Sequence, residues 1–292
     1  GRRPRMTGWV LENIVFLAVL SAALCHAGWN ALIKTVGLDP LSSTTLICLG
    51  SAIVSLALLP FVGNPAWAAW PWLLASTFIH LVYFAALIEA YRAGDLGQVY
   101  PIARGSAPLM TAAATTVFVG EPLSAIAWTG ILVLVAGVFL LSAKGGRDLA
   151  KIDRKAVGFA LITAASICAY SVTDGIGARL SGNSSGYVLW LFVLTAVLMV
   201  PYALYRDGPD VIPAMRTYWR RGFAGGALQV LSYGTVLWAM TLAPIAIVAT
   251  LRETSVLFGA IIAVVVLKEP LRAVRIAAAL LILCGLVLIR VQ

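Results

Sequence analysis

Ten apolar runs, each longer than 20 residues, fill almost the whole of this sequence. A bilayer's hydrocarbon core is about 30 Å thick and is crossed by about 20 apolar residues of helix. Lipid offers a backbone N–H or C=O no partner, so a run of that length folds as a helix whose hydrogen bonds close on themselves. The runs predict helices over 11–34, 41–62, 70–93, 97–119, 123–143, 155–179, 184–206, 220–243, 245–267 and 271–291. Turn-forming residues separate them: Asp39-Pro40, Gly63-Asn64-Pro65, Glu121-Pro122, Gly182-Asn183-Ser184, Asp207-Gly208-Pro209 and Glu269-Pro270. The first run follows Arg2, Arg3 and Arg5 as a secretion signal would. It exceeds a signal's apolar stretch of about 7–15 residues and further runs follow, so it reads as a retained helix.

The fold class expected is therefore an all-α integral membrane protein with ten transmembrane helices. Composition excludes the alternatives. Only 11% of residues are charged and 61% are hydrophobic, against roughly 25% charged in a soluble domain, which rules out a water-soluble enzyme. The net charge of +9 comes from Lys and Arg beside apolar runs, where they meet lipid head groups, so nucleic acid is not expected as a partner. The four cysteines lie inside runs without metal-ligand spacing and read as inert core thiols.

The sequence repeats internally. A shift of 148 residues places Arg104 on Arg252, Glu121-Pro122-Leu123 on Glu269-Pro270-Leu271, and Gly137 on Gly285. Near the start of each half, Trp29-Asn30 falls on Thr173-Asp174 at a shift of 144. The longest polar stretch divides the chain into a first five-helix unit over 11–143, a basic linker over 144–154 and a second unit over 155–291. Five is odd, so the second unit enters the membrane from the opposite side and the repeats are inverted.

Val99-Tyr100-Pro101-Ile102-Ala103-Arg104-Gly105 with Ala107-Pro108, and Gly120-Glu121-Pro122-Leu123-Ser124, recur in altered form as Leu251-Arg252-Glu253-Thr254-Ser255 and Leu267-Lys268-Glu269-Pro270. On these stretches the chain resembles the drug/metabolite transporter superfamily and, within it, the EamA-like proteins with two five-helix halves. The resemblance implies a secondary carrier in a bacterial inner membrane, with no cofactor, working on a small-molecule substrate and functional as a monomer in the lipid bilayer. Some such proteins export amino acids, aromatic ones included. Others move nucleotide sugars, drugs or sugar phosphates. The first half lies nearer the amino-acid-exporter pattern, since Val248-Ala249 stands where the first half has Tyr100-Pro101.

Arg104 and Arg252 are each the eighth residue of their runs, about 10 Å below the surface at 1.5 Å per residue. An Arg at a helix centre costs roughly 2.5–3.5 kcal/mol to insert, so each should turn toward protein or a wet cavity. In inverted units the two depths are measured from opposite faces, which predicts two levels about 10 Å apart. Asn30, Lys34, Glu89 and Arg104 then lie toward one face and Asp174, Arg252 and Glu253 toward the other. An Arg104–Glu89 contact and an Arg252–Asp174 contact would form two gates, broken alternately. The alternative is that such pairs are permanent and serve insertion.

Between those levels, His80, Tyr83, Phe84 and Leu87 recur on one face of the third run, Tyr100 lies a turn before Arg104, and the eighth run adds Gln229, Tyr233 and Trp238. Rings beside a guanidinium suit an amphiphilic zwitterion, with arginine on the carboxylate and Glu253 or a free carbonyl on the amine. The same rings also serve as core filler and interfacial anchors. Pro101 and Pro108 inside the fourth run and Pro244 before the ninth each remove a backbone donor and free a carbonyl a turn earlier, which would help the halves bend. Gly222 and Gly226, four apart, suit close internal helix packing.

Gly182-Asn183-Ser184-Ser185-Gly186 has the spacing of a hydrolase nucleophile elbow but joins two membrane runs, not a strand and a helix. No phosphate-binding loop with Lys appears, which argues against direct ATP drive. Positive residues cluster in one set of alternate loops and would put both termini outside, whereas the resemblance implies both inside. Export of amino acids by alternating access is the leading expectation. Export of drugs or other metabolites with proton exchange is the alternative, and a channel or an intramembrane enzyme finds less support in the residues.

Overall fold

The computed structural model describes residues 6–34, 36–93, 96–142, 154–266, 268 and 273–291, with the side chains of 6–11, 91, 96–101, 142 and 214 outside that set. The Tyr100 and Pro101 side chains, the Glu269-Pro270-Leu271 turn and nearly all of the 144–154 linker thus lie outside the described residues. All regular structure among the described residues is helical: α1 (Met6–Lys34), α2 (Pro40–Val62), α3 (Trp70–Ala93), α4 (Leu96–Ala114), α5 (Ala125–Ser142), α6 (Arg154–Leu180), α7 (Ser184–Asp207), α8 (Val211–Met240), α9 (Ile245–Arg252), α10 (Ser255–Val265) and α11 (Ala273–Arg290).

Local chemistry sets several boundaries. Asp39 caps α2 by accepting from the Leu41 and Ser42 N–H groups, with Pro40 at the first helical position. Asn183 caps α7 by accepting from Gly186 N–H, while its own amide donates to Val62 O at 2.9 Å and ties the end of α2 to the start of α7. After α4 a single wide turn, Thr115–Val119, runs into left-handed Gly120.

Seven helical stretches are long and apolar enough to cross a membrane: Glu12–Lys34, Pro40–Val62, Trp67–Ala90, Arg154–Leu180, Ser184–Pro213, Ile245–Val265 and Ala273–Arg290, with Ala125–Leu141 a shorter apolar helix. Outside this set, α4 carries buried Arg104 among small residues. The first turns of α8 carry Arg216, Arg220 and Arg221. Helix α8 begins at Val211, nine residues before the predicted start, and bends at Tyr218 (φ −107°, ψ 18°).

The run predicted as one helix over 245–267 is broken at Glu253-Thr254. Neither proline nor glycine causes it. Backbone bonding tightens there, with Glu253 N–H donating to Thr250 O, Thr254 N–H to Leu251 O and Val256 N–H to Glu253 O, all three residues back. The Thr254 hydroxyl also donates to Leu251 O at 2.7 Å, competing for a carbonyl the ladder would use. By contrast, α4 runs unbroken through Pro101 and Pro108.

Helix α8 packs on α1 and α2, α6 on α3 and α4, and α7 on α2 and α3. Gly222 and Gly226 face α2, as expected for internal packing: a Cβ on Gly226 would lie 2.3 Å from Gly50 C, and one on Gly50 would lie 2.0 Å from Gly222 O. Helices α5 and α11 run antiparallel along a second seam. There Gly137 abuts Ile282 and the Ala278 carbonyl, while Gly285 abuts Leu134 and the Gly130 carbonyl. Under the 148-residue shift, 137 becomes 285, 134 becomes 282 and 130 becomes 278, so the two halves of this seam make the same contacts in exchange.

Candidate functional site

A small central cavity of about 60 Å³ lies where the two units meet. Helix α3 supplies His80, Tyr83 and Phe84, α4 supplies Arg104, and α9 supplies Arg252. Tyr170 enters from α6, Gln229, Ser232 and Tyr233 from α8, Phe192 and Thr195 from α7, and His26 and Trp29 from α1. At roughly 10–15 Å³ per water position, the space holds a few waters.

The two arginines carry the site's electrostatics. Both are buried, Arg104 at 5% and Arg252 at 3% exposed. Arg104 Nε lies 2.9 Å from Glu253 Oε2, and its Nη2 donates to Ser255 Oγ at 3.1 Å. Arg252 Nη2 lies 4.0 Å from the other oxygen of the same carboxylate and donates to Tyr170 Oη at 3.0 Å. Its guanidinium stands over the Tyr170 and Tyr233 rings at 5.7 and 5.8 Å, a favourable cation–π setting. Arg252 Nε, Trp29 Nε1 and Thr195 Oγ1 are buried without a hydrogen-bond partner among the described residues. A buried polar group left unbonded costs about 1–3 kcal/mol, so a ligand that satisfies it recovers stabilisation.

Aromatic rings form the walls. His80 stacks on Tyr170, with centroids 4.3 Å apart and planes 25° apart, and meets Tyr83 and Tyr233 edge-on. His80 Nδ1 lies 2.9 Å from the Ser76 carbonyl and 3.1 Å from its hydroxyl, which fixes the ring. On the α2–α8 side, Ser51 donates to Gln229 Oε1 at 2.7 Å.

Of the residues expected to bind substrate, His80, Tyr83, Arg104, Tyr233 and Arg252 line this cavity. Glu253 lies behind the guanidiniums, bound to both arginines. Trp238 packs half-buried on the main hydrophobic core, outside the lining. The two arginines do not occupy separate levels: their long side chains converge on one carboxylate between α4 and α9.

The gate pairs drawn from the sequence are formed otherwise. Glu89 lies near the C-terminal end of α3 and pairs with Arg206 at 2.7 Å and Arg92 at 3.5 Å, while Arg104 pairs with buried Glu253 at 2.9 Å. Asp174 is fully buried and accepts from the hydroxyls of Tyr187 and Tyr233, while Arg252 turns to Tyr170 and Glu253. Asn30 is exposed and donates to His26 O at 2.8 Å. Pro108 is buried within α4. The cysteines also divide: Cys48 is buried in the cavity wall and Cys284 is exposed on α11, so the expectation of four core thiols does not hold.

Sequence reasoning missed His26, Trp29, Tyr170, Phe192, Thr195 and Ser232 as lining residues. A signal existed for some of them. The 144-residue shift that aligns Asn30 with Asp174 also aligns His26 with Tyr170 and Cys48 with Phe192, and all four of these line the cavity.

Two ion-pair clusters close opposite helix ends. At one, Arg179 Nη1 meets Glu121 Oε1 at 2.6 Å, and the same arginine donates to the Met240 and Ala243 carbonyls. Glu121 Oε2 accepts the Ile245 N–H at 2.8 Å, placing a carboxylate on the N-terminus of α9. At the other, Glu89 and Asp207 meet Arg92 and Arg206 and tie the ends of α3 and α7.

Comparison with known proteins accounts for this architecture. The pattern of the EamA-like transporter family matches residues 13–143 and again residues 154–291. No curated protein matches the chain. Twenty-nine chains of known structure do. One crystal structure aligns over 94% of this chain and 97% of its own with a TM-score of 0.74 at 19% identity, a shared fold. Matched twice over nearly its whole length, the chain belongs to the EamA-like transporter family and is a multi-pass membrane transport protein.

Proposed function

We propose that this protein is a secondary transporter of small amphiphilic metabolites, most of all amino acids and aromatic ones among them, working by alternating access in the direction of export across a bacterial inner membrane. One observation carries the reading: two buried guanidiniums face an aromatic-walled cavity while sharing a single carboxylate, Glu253. Once the cavity widens beyond the few waters it holds in this form, a substrate carboxylate would meet the remaining positive charge and an aromatic side chain would lie against the rings of His80, Tyr83 and Tyr170. The substrate amine would reach Glu253 as an arginine turns to the substrate. Unsatisfied Arg252 Nε and Thr195 Oγ1 support a bound polar ligand.

Ten membrane crossings in two inverted five-helix units, over 11–143 and 155–291, are the topology we assign. The antiparallel seam between α5 and α11, with exchanged contacts, supports it. So does the discontinuous α9–α10 pair beside the cavity, a common arrangement at transporter sites. A cavity of about 60 Å³, with ion-pair clusters at helix ends away from its lining, suits a form narrower than the substrate it would carry. Opening of the Glu121–Arg179 cluster would admit substrate from one side and opening of the Glu89–Arg206 cluster from the other, with Asp174, Asn30, Pro101 and Pro108 in the moving elements. A monomer holds every residue of this scheme.

Purified protein in liposomes tests the reading. Phenylalanine, tyrosine, aliphatic amino acids, sugars and cations are offered with and without a pH gradient. Saturable uptake of amino acids, accelerated by unlabelled substrate on the far side, is expected. Flux that rises linearly with concentration and shows no counterflow would replace the carrier by a channel. Uptake of apolar drugs or other metabolites in place of amino acids would favour the second reading, metabolite export by proton exchange.

A further inference from the structure

Asp174 lies one helical turn beyond Tyr170 on α6 and is 0% exposed. Two phenols from different helices donate to its two oxygens: Tyr187 of α7 to Oδ1 at 3.0 Å and Tyr233 of α8 to Oδ2 at 2.5 Å. From α3, the Ser76 hydroxyl and the His80 ring stand alongside. Glu89, Glu121, Asp207 and Glu253 each lie against an arginine, but among the described residues no guanidinium or ammonium comes within 4 Å of Asp174. The cations around the cavity, Arg252 of α9 and Arg104 of α4, are engaged with Glu253, and the rings of Tyr170 and Tyr233 lie beneath the Arg252 guanidinium. The other titratable groups in the wall are His26 of α1, Cys48 of α2 and Tyr83 of α3. A carboxylate removed from water and held only by neutral hydroxyls has no opposing charge to fix it in one protonation state.

We infer that Asp174 is a proton-binding site linked to the substrate cavity through Tyr233 and His80. The inference rests on the transport reading for its physiological meaning, but its chemistry is local. Tyr233 is the link because its hydroxyl binds Asp174 while its ring lines the cavity. A proton arriving from cavity water adds to the Tyr233 oxygen as the Tyr233 hydroxyl hydrogen passes to Asp174 Oδ2. The tyrosine is regenerated, the carboxylate becomes a carboxylic acid, and the new hydroxyl hydrogen of Tyr233 is free to point into the cavity.

Charge makes the link work. With both arginines and both acids ionised and the histidines neutral, the site sums to zero. Protonated Asp174 leaves one net positive charge beside the cavity. That charge favours a substrate carboxylate, so proton and carboxylate bind cooperatively, and by reciprocity substrate binding draws a proton onto Asp174.

Two measurements on the full-length protein in nanodiscs test this. Infrared difference spectra recorded without ligand across a pH titration should show a carboxylic-acid C=O band in the wild type that is missing in Asp174→Asn. Phenylalanine binding, followed by tryptophan fluorescence, should tighten on acidification by on the order of tenfold in the wild type and be flat with pH in Asp174→Asn. Tyr233→Phe and Tyr187→Phe keep the acid and remove one hydrogen bond each, and each should move the pH at which the band appears even if Asp174→Asn folds poorly. A band that persists in Asp174→Asn, or a wild type that shows none, overturns the proton site while leaving amino-acid transport standing. A band assigned to Asp174 with no phenylalanine binding at any pH leaves the proton site standing and overturns the amino-acid reading.

Discussion

Arg252 shows how much a single side chain does here. Its guanidinium is planar, stacks over two rings and donates to a phenol, which lysine cannot reproduce. Hydrogen bonds to a charged group contribute about 1.5–3 kcal/mol, so Arg252→Ala should weaken binding of a carboxylate substrate roughly ten- to a hundredfold, read as a rise in the concentration for half-maximal counterflow. Arg252→Lys should recover little of the loss. At the edge of the membrane, Asp39 works differently. Burial pushes its carboxyl up, but hydrogen bonds from Ser42 and Leu41, with Arg92 nearby, together outweigh that and leave it below its ordinary value. A lowered folded-state value means its stabilisation is present above the unfolded carboxyl's range and is lost as pH falls through the folded one. Asp39→Ala should destabilise α2 by about 1 kcal/mol near neutral pH, seen as a lower melting temperature in detergent, with the gap to wild type closing in acid.

The same residues show what was readable in advance. Arg104, Arg252 and Glu253 stand out because charge inside an apolar run is expensive, and His80, Tyr83 and Tyr233 because rings recur at helical spacing. Their partners were not readable. Which acid meets which arginine depends on how each helix is rotated about its axis, and an evenly apolar sequence such as α3 carries almost no record of that rotation. For the same reason Trp29 stood out only through the repeat alignment and Thr195 not at all.

At the level of helices, the apolar runs are helical over most of their described residues because lipid leaves the backbone no other choice, and seven stretches are long and apolar enough to cross a membrane. The break at Glu253-Thr254 was invisible because it rests on an ion pair to another helix and on a threonine hydroxyl, not on proline or glycine. Helix contacts were partly visible through glycine. At Gly226 an added methyl would meet the backbone of Gly50 and Ser51, atoms no rotamer change can move. Gly226→Ala should therefore cost about 3 kcal/mol or more, read as a large drop in thermal stability. Gly259 on α10 has open space around its Cα, and Gly259→Ala should be neutral or stabilising by up to about 1 kcal/mol.

At the scale of the whole chain, the repeat read from Arg104 and Arg252 locates the cavity, because both arginines, and the pairs His26 with Tyr170 and Cys48 with Phe192, face the same space. The two units diverge where they meet it. Tyr170 stacks on His80 and bonds Arg252, whereas its counterpart His26 meets Trp29 edge-on. Function has been built on a nearly symmetric frame by making its two halves chemically unequal.

The α5–α11 seam has a consequence of its own. Because each side presents small residues at matching positions to the other, the two family-matched halves should find one another as separate polypeptides without a covalent tether. A gene cut between codons 143 and 154 and expressed as two fragments should yield a copurifying pair that retains counterflow. Gly137→Leu in one fragment should abolish that assembly, leaving each piece to be degraded alone.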